Sequence, residues 1–381
     1  MRKNTKFSRK TVLTLSLASF LNDLGSDMIY PVWPLFVTSF LKANMPILGL
    51  IDGIGNMVVS ISQAISGYLS DKLRKRKVFV YSGYFLAFLS RIGYSFSITW
   101  QHLILFKIAD RLGKLRGAPR DALIADVSTR KNRGKNFGIL RAMDNLGAVF
   151  GIISCVLLFS ILGYRKLFLL AAFPSLVGTL LVILFVREIK PVKKKLKLSI
   201  GKLNKNFILF LVATSIFYLG WFSYSFLLIY AKELGFLETS IPLLYLIFTL
   251  TSSLMSIPFG KISDRFNRKS ILFFSYLLFA LMCLGFIYLK NFYGIIFLFF
   301  LYGLHNSSRD VIERTFVSEL SPINLRGSYL GIFKMIRGIC LLPASVIAGL
   351  LWQNFGKFIP FYFSSITSLI SMFLLFFVKE K

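Results

Sequence analysis

The chain has 381 residues, with 46 Lys and Arg against 16 Asp and Glu, giving a formal charge of +30. Hydrophobic residues make up 55% of it, 41 residues are Phe, and the mean hydropathy is +0.68. That composition excludes a soluble nucleic-acid binder and a disordered basic tail, and points to a membrane protein.

A bilayer-crossing helix needs about 20 mostly apolar residues. Twelve such segments are predicted, at 11–38, 47–70, 78–98, 102–127, 137–162, 167–187, 207–231, 241–260, 270–289, 293–319, 328–352 and 358–378. The fold class is all-α: an integral membrane protein of two six-helix bundles. Most connections are short. The exception is 188–206, a Lys-rich stretch with Pro191, which separates an N-terminal bundle, 1–187, from a C-terminal bundle, 207–381. Span 1 follows a basic start, but Asp23 and Asp27 interrupt it and no small-residue cleavage site follows, so it reads as an uncleaved helix.

With an even number of spans both termini share a side. That side collects most of the Lys and Arg, in the N-terminus, the runs Arg74 to Lys77 and Arg130 to Lys135, the 188–206 linker and the Lys261 to Lys269 loop. The opposite side has only Lys42, Arg165, Lys166, Lys232, Lys290 and Lys357. The positive-inside rule makes the richer side cytoplasmic. The expected location is the plasma membrane with cytoplasmic termini, where anionic lipid is an expected partner. A monomer is expected.

The two halves repeat each other. Gly67-Tyr68-Leu69-Ser70-Asp71-Lys72 before a basic run matches Gly260-Lys261-Ile262-Ser263-Asp264-Arg265. Arg120-Asp121 matches Arg309-Asp310, and Arg133-Gly134 matches Arg326-Gly327. Eight residues on stand Arg141 and Lys334. Four matches in one order indicate a parallel repeat of six helices, a known transporter plan.

The Gly-x-Leu-x-Asp-(Lys/Arg) run at 67–76, its weaker copy at 260–269 and the layout of six plus six spans resemble the major facilitator superfamily over the whole chain. The stretches Asn22 to Pro31 and Arg116 to Asp126 resemble a bacterial and archaeal branch of it. The resemblance implies that spans 1, 4, 7 and 10 line a central cavity and that the halves rock in alternating access. It also implies that the loop Asp acts as a latch. The branch usually has one more Gly after Gly113-Lys114; its absence turns one part of span 4 relative to the other.

A Lys, Arg or Asp at a helix centre costs about 2.5–3.5 kcal/mol on insertion scales, so charges inside spans mark a pathway, a gate or a relay. The cations are Arg91, Lys107, Arg111, Lys114, Arg116, Arg120, Arg141, Arg309, Arg314, Lys334 and Arg337. In span 1, Asp23 and Asp27 share a face with Tyr30; they are either proton or substrate carriers or fixed partners of a span-4 or span-5 Arg. In span 4, Lys107, Asp110, Arg111, Lys114 and Asp121 fall on one helical stripe, with Arg116 and Arg120 on the other side and a kink expected at Pro119. The stripe is either a cavity wall or an ion-pair network. In span 7, Tyr218 and Trp221 recur at helical spacing with Thr214 and Ser225. They contact either substrate or neighbouring helices, and His305 of span 10 either contacts substrate and titrates or is simply hydrogen-bonded.

Asp71, Arg120, Asp121, Arg141 and Asp144 form one cluster by depth at the cytoplasmic side. Asp264, Arg309, Asp310, Glu313, Lys334 and Arg337 form its counterpart, and both are expected to work as gates or latches. In span 5, Gly147 and Gly151 predict a close helix approach.

The three cysteines, Cys155, Cys283 and Cys340, and two histidines, His102 and His305, have no metal-binding spacing, so no metal and no cofactor are expected. No P-loop, HExxH or GxSxG motif is present, so an enzyme is not expected. The leading expectation is a secondary transporter that exports a small organic solute or drug with H+ as coupling ion. One alternative is a carrier of organic or phosphorylated anions, because span cations outnumber span acids. Another is a transport-inactive receptor or assembly factor on the same fold.

Overall fold

The computed structural model describes residues 5–129, 132–188, 203–263, 266–322 and 325–379. Among the described residues there is no strand, and the twelve expected spans are all helical. Among the described residues, seven helices are long and apolar enough to cross a membrane by length and composition alone. They hold spans 2, 5 to 9, 11 and 12. Spans 1, 3, 4 and 10 fall outside that set and carry most of the buried charged groups described below.

Several spans are broken, and each break has a local cause. Span 1 runs Thr5–Ile29, turns, and resumes as Trp33–Leu35 and a wider turn Phe36–Phe40. Pro31 and Pro34 have no N–H to continue the ladder. Span 2 is Met45–Leu73 and span 3 is Lys77–Phe96. Span 4 is Trp100–Leu112, a 3₁₀ turn Gly113–Arg116 and a second helix Gly117–Val127. Pro119 lies just past that turn, where its missing N–H and ring disfavour an unbroken α-helix.

Spans 5 and 6 form one helical run, Arg133–Phe185, reversed at Gly163. Gly163 has φ 64° and ψ −175°, a backbone only glycine adopts without strain. Span 7 is Lys205–Gly220 and Tyr224–Glu233, with extended residues between. Ile241–Ser263, Arg268–Tyr288, Phe292–Leu320, Arg326–Phe355 and Ile359–Phe376 are spans 8 to 12.

The chain divides into two compact units, Met1–Lys42 with Val58–Lys195 and Ala43–Met57 with Leu196–Lys381. In the first, Leu15, Ala18, Tyr84, Leu123, Leu140 and Val182 make a closed apolar cluster. The Gly147-x-x-x-Gly151 face allows the approach expected of it: a Cβ on either glycine would strike the carbonyls of Phe20 or Leu24 in span 1. In the second unit, the first part of span 2 packs on span 11, with Gly49 and Gly53 against the backbone of Ser345 and Leu342. Large apolar side chains such as Leu157, Ile161, Ile257 and Phe373 point outward, as a lipid-facing surface requires.

Candidate transport site

In the first unit, span 4 lays its charges against span 1. The Lys107 ammonium is buried over the Trp33 ring, 3.8 Å from its centroid. Arg111 donates to the Tyr30 hydroxyl at 3.2 Å and lies 3.6 Å from Asp110. Arg116 approaches Asp23 at 3.9 Å and donates to the Gly113 carbonyl at 2.7 Å. Arg120 donates to Ser19 and lies 3.4 Å from Asp144.

Arg116 and Arg120 therefore face span 1 as Lys107 and Arg111 do, and not away from it. The reason is the 3₁₀ turn. Each of its four residues advances the helix about 20° more than an α residue does, so the second segment is re-phased by about 80°.

Asp27 differs from its neighbours. It is half-buried, and among the described residues it makes no hydrogen bond or ion pair. Lys114, Arg91 and Arg111 are the cations whose fields reach it, with Asp23 opposing them. Lys114 is also half-buried and likewise has no direct partner among the described residues. Two opposite charges are thus uncommitted, on spans 1 and 4.

Arg91 is 1% exposed, and its role was not legible in the sequence. It donates to the Ala171 carbonyl at 3.0 Å, Ser175 at 2.5 Å, the Asn22 carbonyl at 3.0 Å and Ser26 at 2.8 Å. Every partner is neutral, so Arg91 ties spans 1, 3 and 6 together.

The expected cytoplasmic cluster splits in two. Arg120, Asp121, Arg141 and Asp144 do meet: Arg141 reaches Asp121 at 3.5 Å and Asp144 at 3.3 Å, and Ser19 donates to Asp144 at 2.5 Å. Asp71 stands apart from them and pairs with Arg76 of its own loop at 2.8 Å. Arg76 also pairs with Asp126, and Glu188 accepts from the backbone of Arg76 at 2.8 Å and of Lys77 at 3.0 Å. Arg76 reads in the sequence as one more loop cation. In the structure it is buried and joins the 74–76 loop to the end of span 4.

In the second unit the counterpart residues also separate. Asp310 pairs with Arg314 at 2.6 Å and with Arg337 at 3.3 Å. Lys334 is at the surface. Asp264 lies outside the described residues. Arg309 and Glu313 are buried and not joined to Asp310. The Arg309 guanidinium lies over Trp221 at 3.8 Å and donates to Asn306 at 2.9 Å. Glu313 accepts from the Tyr218 and Tyr276 hydroxyls.

His305 is fully buried, its ring beside Phe279 and its Nδ1 donating to the Ser275 carbonyl at 2.8 Å. Thr214 bonds to its own helix, and Ser225 donates to Asp52. The helical spacing of span 7 is interrupted after Gly220, so Tyr218 and Trp221 flank a break and do not continue one stripe.

Among the described residues, each unit buries charged groups between long apolar helices, as a membrane transporter does. The fold is shared with a solved point variant of the nucleoside transporter NupG, with a TM-score of 0.81 over 97% of this chain and 100% of that one, at 15% identity. The sequence pattern of the Major Facilitator Superfamily matches residues 15–214 and again residues 209–381. An MFS-type transporter of Methanocaldococcus jannaschii is 36% identical over 99% of this chain and 98% of its own length. The multidrug resistance protein MdtG of Proteus mirabilis is 25% identical over 91% of this chain and 90% of its own. The chain belongs to the Major Facilitator Superfamily; it is a membrane-spanning transporter of small molecules and not an enzyme.

Proposed function

We propose that this transporter is a secondary active one, coupled to protons, which exports a small organic solute across the plasma membrane with both termini in the cytoplasm. The observation that carries the reading is the Asp27 carboxylate, half-buried on span 1 without a hydrogen-bond partner while Asp23, Asp110 and Asp144 are all engaged. An intramembrane acid without a structural bond is kept for what passes it. The name of the Proteus mirabilis relative supports export of drug-like solutes. In this reading Tyr30, Arg111 and Lys114 contact the solute. Asp71 with Arg76 and Asp126, and Asp310 with Arg337, are latches that break as the halves rock.

The test uses purified protein. A library screen for thermal stabilisation finds a ligand, since ligands stabilise the state they bind. Flux of that ligand is then followed in proteoliposomes under an imposed pH gradient. Flux driven by the gradient in wild type and lost in Asp27→Asn supports the reading. Flux indifferent to both sinks the coupling.

Lys114 favours a second reading, in which the cargo is an organic or phosphorylated anion. A half-buried ammonium without a partner is completed by an anionic group. Binding of an anionic ligand that survives Lys114→Gln and Arg111→Gln together would refute it.

A further inference from the structure

We propose that Glu313 is a proton-carrying site of the second unit, which exchanges one proton between a neutral form held by Tyr218 and Tyr276 and an ionised form paired with Arg309. The proposal deepens the proton-coupled reading and rests on it.

Glu313 is fully buried. Its Oε2 meets the Tyr218 hydroxyl and its Oε1 meets the Tyr276 hydroxyl at 3.3 Å. Among the described residues no Lys or Arg lies within ion-pair distance of it. A carboxylic acid and a tyrosine hydroxyl each donate and accept, so with one hydroxyl proton rotated away these contacts serve the neutral acid and no heavy atom moves.

One turn earlier on the same helix stands Arg309, 1% exposed. Residues four apart on a helix are neighbours, and a Glu and an Arg at that spacing reach each other. Yet the Arg309 guanidinium is laid on Trp221, and its Nε and Nη1 have no hydrogen-bond partner among the described residues. Two opposite charges buried a turn apart attract strongly where water cannot screen them. Their separation is understandable if the acid carries a proton in this arrangement. The orphan donors of Arg309 are then the seat its carboxylate takes once the proton has gone.

The surroundings leave Arg309 as that seat. Span 7 presents Tyr218 and span 9 presents Tyr276. Span 10 itself adds Asp310, and span 11 presents Arg337, which lies 5.0 Å from the Tyr218 ring centroid and is engaged by Asp310 at 3.3 Å. Span 8 offers span 10 only hydroxyls, Ser252 to Asn306 and Ser256 to Ser307. His305 is two turns away and held at Ser275.

On deprotonation the proton passes to water and one negative charge remains on Glu313. Swinging to Arg309, it neutralises that cation and leaves the Tyr218 hydroxyl. The guanidinium it neutralises is the one stacked on Trp221, the first residue of the break in span 7. Proton loss thereby weakens the cation–ring contact that Arg309 makes with a span expected to line the cavity.

The test needs no substrate, so its failure is distinct from a failure of flux. Infrared difference spectra of the purified protein are recorded as a function of pH, following the carbonyl band of protonated carboxyl groups. The expected result is a component of that band that fades as pH rises in wild type and is missing in Glu313→Gln, which keeps the shape and most of the hydrogen-bonding capacity while the Asp27 component stays. In Arg309→Gln the band should persist to higher pH, because the ionised form has lost its partner. Where Glu313→Gln does not fold, Tyr276→Phe keeps the ring stack on Phe217 and should move the same band by removing one hydrogen bond. Identical spectra in wild type and Glu313→Gln, or a titration unmoved by Arg309→Gln, would overturn the proposal. So would a band unmoved in Tyr276→Phe.

Discussion

Asp52 of span 2 accepts hydrogen bonds from Ser225 at 2.5 Å and from Ser223 at 2.7 Å, both on Oδ2. Ser223 is also the N-cap of the second helix of span 7, and its side chain accepts from the Ser225 backbone N–H. The carboxylate therefore sits at a helix N-terminus, where the free N–H groups favour negative charge. Ser225→Ala should lower stability by about 1.5–3 kcal/mol, the worth of a hydrogen bond to a charged group. Asp52→Asn should cost less than Asp52→Ala, since the amide still accepts. Thermal unfolding in detergent checks both, and an unchanged midpoint for Ser225→Ala would show that the bond is idle.

Arg76 should behave as a structural hub and not as a topological charge. Its guanidinium holds Asp71 and Asp126, while Glu188 takes the two backbone N–H groups that open span 3. Arg76→Gln leaves two carboxylates without their cation, whereas Arg74→Gln removes a half-buried charge that pairs with no carboxylate among the described residues. Glu188→Ala removes a cap worth about 1 kcal/mol. The expected order of thermal destabilisation is Arg76→Gln, then Glu188→Ala, then Arg74→Gln with almost none. Equal effects for the two arginines would return Arg76 to the role of a loop cation.

Gly25 and Arg91 are coupled by space. A Cβ on Gly25 would run into the Arg91 guanidinium and the Ala171 carbonyl. Gly25→Ala should therefore disturb the contact of spans 1, 3 and 6 at once. Arg91→Lys keeps the charge but has no fork to reach Ala171, Ser175, Asn22 and Ser26 together. Each lost charge-assisted bond is worth about 1.5–3 kcal/mol. Both variants should give little folded monodisperse protein on size-exclusion chromatography, and normal yields of Arg91→Lys would mean one bond suffices.

The spans, their number and the repeat were legible because hydrophobic length and motif order survive any packing. The GxxxG approach of span 5 was legible for the same reason: it depends on what is absent from the side chain. The partners of charges were not. Lys107 to Arg120 could be placed on two sides of an ideal helix, but a four-residue 3₁₀ turn rotated one set onto the other's face. Asp71 shared a depth with Arg120 and Arg141, yet Arg76 in its own loop took it. Tyr276 and Ser223 sit in unremarkable sequence, and only the fold brings them to Glu313 and Asp52. Depth along a helix is one coordinate; pairing needs three.

Residues already engaged and residues kept open should separate cleanly in a paired measurement. Arg120 is buried and bonded to Ser19, Asp121 and Asp144, so Arg120→Gln strands buried charge and should cost about 3–5 kcal/mol. Asp27 and Lys114 have no direct partner to lose. Asp27→Asn removes a half-buried charge and should leave the unfolding midpoint unchanged or raise it, and Lys114→Gln should shift stability by no more than about 0.5 kcal/mol. Both should nevertheless impair transport in proteoliposomes, since functional sites carry charges that stability alone would discard. A loss of stability in Asp27→Asn as large as in Arg120→Gln would show that Asp27 is a fixed structural partner, and the coupling role would pass to another acid.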